Sequence, residues 1–353
     1  MPEKKSELKP GATRWEKLKY HWPRIRKWAV IIFVLAVVAL LVSLAREVEW
    51  SEVLAAMKQT RPGVLAVALG LTAVSYLVYS CYDVLGRVYA RHDLAAWRVM
   101  TTGAISYAFN LSLGSFIGGM GFRYRLYSKQ GLSAATITRV LGLSLATNWM
   151  SYFLLGGVVF ATGKIKMPSG WEVGTGALQG IGVLLILVAV GYWAACAFSS
   201  RREWSIKGHD LTLPSGRLAL LQLGVGCLSW LVIGGIIWVL LEQKVDFFIV
   251  LGVFMLSGIA GAFAHIPGGL GVIEAVFVAL LSSQLPTSQI LGALVVYRAV
   301  YYLTPLAVAT VAYIALEASL KRTHPDSQVD AQESHDADRQ THAGRDDPSA
   351  KRG

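Results

Sequence analysis

The sequence predicts an all-α polytopic membrane protein with six full transmembrane helices and two re-entrant or broken helical hairpins. Three observations lead there. Across 353 residues, 54% are hydrophobic and only 16% charged, whereas a soluble chain of this size needs about a quarter charged residues to cover its surface. The apolar residues fall in runs of about 20, the length that spans a hydrocarbon core of ~30 Å. Lysine and arginine gather in some of the segments between those runs and avoid others, as positive-inside topology demands. Together these features exclude a soluble enzyme, a fibrous protein and a mainly disordered chain. The net charge of +11 would suit nucleic acid in a soluble protein. Its placement beside apolar runs points to the membrane instead, and no nucleic-acid partner is expected.

The elements follow in order. Residues 1–27 form a basic arm with nine Lys and Arg. Residues 28–45 are the first span. They are too long for the apolar core of a typical signal peptide and no small-residue cleavage site follows, so they read as a retained signal anchor. Trp50-Ser51-Glu52-Val53-Leu54 opens a short amphipathic helix suited to the membrane interface. The other full spans are 63–85, 140–162, 177–198, 218–241 and 290–316. Two more apolar stretches, 99–122 and 247–285, are interrupted by glycines and polar residues. The transmembrane domain therefore runs over 28–316, with hairpins near 99–139 and 247–289. The polar tail, 317–353, is expected to be disordered.

Charge sets the topology. With 1–27, 86–98, 123–139, 199–217 and the tail in the cytoplasm, that side carries 26 Lys and Arg. The loops 46–62, 164–176 and 242–246 carry 6. Both termini are then cytoplasmic. Segments 86–98 and 123–139 both want the cytoplasm, so the stretch between them enters and returns. Its turn falls near Asn110-Leu111-Ser112-Leu113-Gly114 or Gly118-Gly119-Met120-Gly121. The second hairpin enters from the opposite face and turns at His265-Ile266-Pro267-Gly268-Gly269-Leu270-Gly271. The two Gly-Gly-x-Gly tetrads lie 150 residues apart. At the same offset Leu141-Gly142 matches Leu291-Gly292 and Tyr152 matches Tyr302. Entered from opposite faces, the two units read as an inverted repeat, whose paired broken segments mark the substrate site in many transporters. The alternative is that the tetrads only permit tight helix packing.

Charges inside hydrocarbon cost a few kcal/mol or more, so the intramembrane polar residues are the functional candidates. Asn110, Arg123 and Arg125 form the first group. Backbone N–H groups freed at a glycine turn attract anions, and planar guanidinium forks suit phosphate; alternatively, the arginines only snorkel to the interface. His265, Pro267, Gly268, Gly269, Gly271 and Glu274 form the second group, where broken backbone needs protein or water beside it. Glu274 could carry a proton, pair with a cationic headgroup, or simply cap its helix. Tyr297, Arg298 and Tyr301, with Tyr302, form the third group. Arg298 lies too deep to snorkel and needs a partner, for which Glu274 is the candidate; the pair is either a structural lock or a bridge that opens with substrate. Asn148 reads as glue between helices, and Asp83 as a residue at the inner interface. Cys81, Cys196 and Cys227 read as small buried apolar residues. No metal-ligand spacing, nucleotide loop or G-x-S-x-G motif is present, so no metal, cofactor or catalytic residue is expected.

The run Pro267-Gly268-Gly269-Leu270-Gly271-Val272-Ile273-Glu274, following an apolar stretch, resembles the signature of the lysylphosphatidylglycerol synthase transmembrane-region family. Cys81-Tyr82-Asp83, Tyr107-Ala108-Phe109-Asn110-Leu111, Gly121-Phe122-Arg123-Tyr124-Arg125-Leu126-Tyr127-Ser128 and Thr147-Asn148-Trp149 are similar to the YbhN branch of bacterial inner-membrane proteins. Tyr297-Arg298 and Tyr301-Tyr302 fit it too. The resemblance extends from about residue 20 to 320. In the larger family members a soluble domain aminoacylates the lipid, and the membrane region moves the product across the bilayer. No such soluble domain is expected here. The resemblance thus implies only the membrane part, a flippase-like translocase for a membrane phospholipid with an anionic or zwitterionic headgroup. Arg123, Arg125 and Arg298 would neutralise the phosphate, and Glu274 would couple a proton or read a cationic group. Two other readings remain: a membrane-embedded transferase acting on a lipid-linked substrate, and a non-catalytic partner in envelope assembly. The apolar stretches hold few carboxylates and no Asp-Asp or Asp-x-Asp cluster, which favours transport over catalysis.

Overall fold

The computed structural model describes residues 50–165, 174–200, 203–206, 209–264 and 271–322. The expected first span, the basic arm, the tail beyond Arg322 and most of the second glycine turn lie outside these described residues. A short helix, α1 (Trp50–Gln59), leaves Trp50 and Leu54 exposed and packs Ala56 and Met57 on the core. This is the two-faced shape an interfacial helix requires.

The first long helix, α2 (Pro62–Ala90), begins with proline at its first position, where the missing N–H costs nothing. Next come α3 (Ala96–Leu113), a π-helical segment (Ser115–Gly121), α4 (Phe122–Lys129), α5 (Ala134–Ala161) and α6 (Thr175–Phe198). After these follow α7 (Gly216–Leu240), α8 (Phe247–Ala264), α9 (Val272–Leu281) and α10 (Thr287–Arg298). The last runs through a π-helical turn (Ala299–Leu303) into α11 (Thr304–Arg322). Serines 133 and 215 cap α5 and α7, each accepting a backbone N–H three residues on at 3.2 Å.

Among the described residues, five helices are long and apolar enough to cross a membrane: α2, α5, α6, α7 and the continuous Thr287–Leu316. They coincide with the five spans expected after residue 60. α6 turns Val183, Leu184, Leu187 and Val190 outward, a surface that only lipid can cover favourably. Two details depart from expectation. The 199–217 segment carries a short antiparallel pair, β1 (Glu203–Ile206) and β2 (His209–Thr212), within a fold that is otherwise all-α among the described residues. The last helix continues past 316 to Arg322.

Contacts between connections sort the loops into two ends. At one end, Lys164 Nζ lies 3.4 Å from Asp246, and Glu242 sits in the field of Arg61. At the other end, the Tyr89 hydroxyl donates to the Thr212 carbonyl, and the His92 ring lies 6.3 Å from that of Tyr127. The grouping matches the one that charge alone gave. Helix directions agree with it. Gln222 on α7 meets Leu143 and Thr147 on α5, and Gly226 meets Ser151, so α5 and α7 run parallel. Leu71 on α2 faces Gly235, while Tyr82 lies beside Ser229 and Cys227, so α2 and α7 are antiparallel.

Between α2 and α5 the chain enters the bundle and comes back. Gln130 Nε2 donates to Thr102 Oγ1 at 3.0 Å, and the Phe122 ring stacks on Phe109 at 3.9 Å. The reversal sits at Gly114, the end of the first expected turn, where φ is 81° and a side chain would be strained. The Gly118–Gly121 tetrad is not the turn. It lies on the return arm and lets that arm close on α3, because a Cβ at Gly118 would collide with the Phe109 carbonyl.

The series of a long helix, an 18-residue helix, a short helix and a long helix occurs twice. It is α2–α3–α4–α5 and then α7–α8–α9–α10/α11, with α3 and α8 both 18 residues long. Each series lays its last helix on the other's hairpin. The Tyr152 hydroxyl on α5 donates to the Met255 carbonyl on α8 at 2.5 Å, and Tyr313 on α11 packs edge-on to Phe109 on α3.

Close packing of the first hairpin makes a testable demand. Gly118→Val should lower thermal stability by about 1–3 kcal/mol, the usual cost of overpacking. Gly142→Val, which meets nothing within 4 Å, should melt near wild type. Equal melting of the two variants in detergent would contradict the closed hairpin.

Candidate functional site

The site is built on an ion pair. Asp83 on α2 is fully buried, and Arg123 on α4 is 4% exposed. The guanidinium Nε is shared between the two carboxylate oxygens at 3.2 Å each. Gly103 on α3 makes room, since a Cβ there would collide with the Asp83 carboxylate. Asp83, expected at the inner interface, is buried inside the protein, where the returning hairpin arm brings it an arginine from 40 positions away. Arg123 also stands 5.7 Å from the Tyr79 ring centre, and its Nη2 has no hydrogen-bond partner among the described residues.

From Tyr79 a column of tyrosines leads across the bundle. Tyr79 stacks on Tyr107 with ring centres 3.5 Å apart. The Tyr107 and Tyr301 hydroxyls are 2.8 Å apart, and Ser75 Oγ lies 2.9 Å from the same Tyr301 hydroxyl. The Tyr76 hydroxyl donates to the Tyr301 carbonyl at 3.2 Å. Tyr301 stacks in turn on Tyr297, and the π-helical turn carries both Tyr301 and Tyr302.

The column ends at a second ion pair. Arg298 donates to both oxygens of Glu274, Nε at 2.7 Å and Nη2 at 3.0 Å. Both residues are partly buried, and Arg298 stands 5.9 Å from the Tyr302 ring centre. Arg298 thus meets the partner that its depth requires. In each hairpin the arm after the glycines supplies one charge, and a neighbouring long helix supplies its partner. The signs are reversed: arginine on the first arm, glutamate on the second.

Beside the first pair lies a cavity of about 490 Å³. Asn110, Ser115 and Gly119 line it from the first hairpin, and Arg123 and Tyr124 from the return arm. Thr138, Asn148 and Trp149 line it from α5, and Ser229 and Trp230 from α7. Three large apolar lining residues, Met120, Leu145 and Trp149, are exposed, so the cavity opens beside an apolar outer surface.

Of the expected residues, Asn110 and Arg123 share this lining, while Glu274, Arg298, Tyr297 and Tyr301 gather at the far end of the tyrosine column. Arg125 is not on the lining. Two residues along a helix is a rotation of about 200°, which turns it away from Arg123. Gly271 opens α9 with φ 79°, and His265, Pro267, Gly268 and Gly269 lie outside the described residues. Asn148 faces the cavity. The interhelical bonding expected of it falls to Gln222, whose Nε2 donates to Thr147 Oγ1 at 2.9 Å. Sequence reasoning missed Ser75, Tyr76, Tyr79 and Tyr107. Ser75, Tyr76, Tyr79, Tyr82 and Asp83 recur at helical spacing inside an apolar run, a polar stripe that marks one inward face.

The chain matches, over residues 30–309, the family described as Lysylphosphatidylglycerol synthase TM region. It belongs to that family. It is 45% identical over 304 residues to inner membrane protein YbhN of Escherichia coli (strain K12), covering 85% of this chain and 95% of that protein. A Synechocystis protein named Uncharacterized protein slr0712 is 28% identical over 304 residues, covering 84% of this chain and 94% of its own length. The match to the phosphatidylglycerol lysyltransferase of Staphylococcus haemolyticus is 24% over 312 residues, 84% of this chain but 34% of the lysyltransferase. With five helices long and apolar enough to cross among the described residues, this family member is a multi-pass inner-membrane protein.

The two ion pairs set a thermodynamic expectation. Removing one member of a buried pair strands the other, at about 3–5 kcal/mol. Asp83→Asn and Arg123→Gln should each destabilise the purified protein on that scale, and the double variant by clearly less than the sum. Glu274→Gln and Arg298→Gln should show the same non-additivity with smaller losses, because that pair is partly exposed. Strictly additive losses in either cycle would mean that the partners do not interact.

Proposed function

We propose that this protein is a phospholipid translocase of the inner membrane, handling an anionic or zwitterionic headgroup while the acyl chains stay in lipid. The observation that carries the reading is the Arg123 cavity. It is a mainly apolar chamber with a few polar groups on its walls, opening past exposed apolar side chains, with a buried guanidinium that retains a donor unused among the described residues after pairing with Asp83. A headgroup can enter sideways from the bilayer, and its phosphate can take the free Nη2 and the amide of Asn110. Asp83 holds the arginine in place and offsets its charge, so the empty chamber carries no stranded cation. The family supports the reading, since the related lysyltransferase is named for a phospholipid substrate.

In this proposal 28–45 adds a sixth crossing, and the basic loop end faces the cytoplasm with both termini. The two hairpins are re-entrant from opposite faces. The repeated helix series, its exchanged packing and the antiparallel α2 and α7 support an inverted repeat. In such a repeat the site lies where the two units meet. The Glu274–Arg298 pair is then the counterpart of Asp83–Arg123 in the other unit, and the tyrosine column couples them.

Transport is tested with headgroup-labelled phospholipids in liposomes, scored for movement between leaflets. Wild type should accelerate exchange. Arg123→Lys keeps a charge opposite Asp83 but lacks the planar fork. It should lower the rate roughly tenfold, on the order of one charge-assisted hydrogen bond. Arg125→Lys should stay near wild type. No acceleration by wild type would defeat the proposal. Orientation is tested by single cysteines on a background lacking Cys81, Cys196 and Cys227. Position 131 should label only from the cytoplasm and position 244 only from outside; the reverse pattern would overturn the assignment.

A further inference from the structure

Resting on the translocase reading, we infer that each lipid phosphate bound at Arg123 drives one proton onto Asp83, and that the proton arrives from the basic loop end through a buried polar cluster of Arg87, His92 and Tyr127. The first ground is charge balance. In the empty chamber the Arg123 guanidinium is matched by the Asp83 carboxylate. Among the described residues no other charged side chain lines the chamber, so an entering phosphate must compete with Asp83 for the arginine. Two anions on one cation would leave a net negative charge in a buried site, and burial favours the neutral form of a carboxyl group that loses its partner. A phosphodiester stays ionised near neutral pH, so the carboxylate is the group that gives way. It gains a proton and becomes a neutral acid, while Arg123 keeps its charge and turns it to the phosphate. The site is electrically neutral before and after, and release of the lipid returns the proton.

The second ground is a route. Asp83 has no exposed surface, so a proton needs a path to it. Asp83, Arg87 and His92 follow one another up α2 and over its end, where the His92 backbone N–H donates to the Arg87 carbonyl at 3.4 Å. Arg123, Tyr127 and Gln130 follow one another up α4 and over its end. The two rows meet at Asp83 and Arg123, 3.2 Å apart, and come together again at His92 and Tyr127. Tyr127 lies in the field of both Asp83 and Arg123. Its hydroxyl, both ring nitrogens of His92, Arg87 Nε and Gln130 Oε1 are buried and have no hydrogen-bond partner among the described residues. Buried polar atoms of this kind are satisfied by internal water. A file of phenol, imidazole and water passes protons along its hydrogen bonds.

The third ground is the chemistry of the outer end. His92 lies in the connection between α2 and α3, beside the cytoplasmic face of the proposed topology. Burial and the neighbouring Arg87 draw its pKa below the ordinary histidine value, against an opposing pull from Asp93. Tyr127 faces it from α4, and Leu94, Ile137 and Val140 around Tyr127 bring no further charge. The ring is therefore neutral near neutral pH, and it can accept a proton at one nitrogen while releasing one from the other.

The test is calorimetry of a short-chain phosphatidylglycerol binding to the purified full-length protein, in buffers that differ in ionisation enthalpy. This lipid has no ionisable group besides its phosphate, so any proton taken up goes to the protein. Wild type should take up about one proton per lipid near neutral pH, and its Kd should rise about tenfold per pH unit. Asp83→Asn, which mimics the neutral acid, should take up none and bind more tightly than wild type at alkaline pH, a gain that misfolding cannot mimic. His92→Ala should slow lipid movement in liposomes about tenfold or more, and added imidazole should restore it, which a merely structural loss would not allow. Lipid binding by wild type without proton uptake would overturn the inference, as would uptake that persists in Asp83→Asn. A His92→Ala rate equal to wild type, or one that imidazole leaves low, would overturn the route. Proton uptake without lipid movement would defeat the translocase reading and leave the protonation of Asp83 standing; movement without uptake would do the reverse.

Discussion

A charge among helices that face lipid must find its partner inside the protein, and the fold around Asp83 follows from that constraint. Asp83 is fully buried between helices, so its carboxylate cannot be solvated from the surface. The partner, Arg123, comes from a segment too short to cross the membrane. Bringing it there requires α3 to enter beside α2, the chain to reverse at Gly114, and the return arm to close on α3 through Gly118. The hairpin is thus both a scaffold for the ion pair and stabilised by it. The same geometry leaves one guanidinium donor over and opens a chamber beside it.

The second pair obeys the same rule with the signs exchanged. Glu274 stands at the start of α9, where a carboxylate also favours the helix dipole, and Arg298 reaches it with two short hydrogen bonds. Between the pairs, tyrosines from α2, α3 and the π-helical turn touch in sequence. A π-helical turn in a long helix often marks a functional position, and here it sets Tyr301 against Ser75 and Tyr107. Movement at one hairpin therefore meets a packed aromatic column rather than fluid lipid, and that column leads to the other hairpin. The family relationship places this whole arrangement within the part that an enzyme such as the Staphylococcus haemolyticus lysyltransferase shares with smaller membrane proteins.

Much of the architecture was legible because hydrocarbon is a demanding solvent. Run length placed five of the spans, and loop charge sorted the connections into the two ends that Lys164–Asp246 and Tyr89–Thr212 define. Glu274 and Arg298 could be paired from sequence because opposite charges so deep in apolar runs are few. Asp83 could not be paired in the same way. It lies near Arg87 at the end of an apolar run, which suggests an interface, and Arg123 lies just beyond another. The position of the turn was also hidden, since two glycine clusters could each break the helix. A positive φ at Gly114 and a steric contact at Gly118 separate them, and both are properties of packing. The cavity wall from α5, with Asn148 and Trp149, depends on the hairpin's distance from that helix, which no local pattern encodes.

The central claim is that a lipid phosphate sits at Arg123 inside the hairpin chamber. A phospholipid with a photoreactive group next to its phosphate, cross-linked to the purified protein and mapped by peptide mass spectrometry, tests this most directly. The account predicts adducts on residues 110–124 and 138–149, strongly reduced in Arg123→Lys. Adducts confined to the outward surface of α6, or unchanged by the Arg123 substitution, would contradict it.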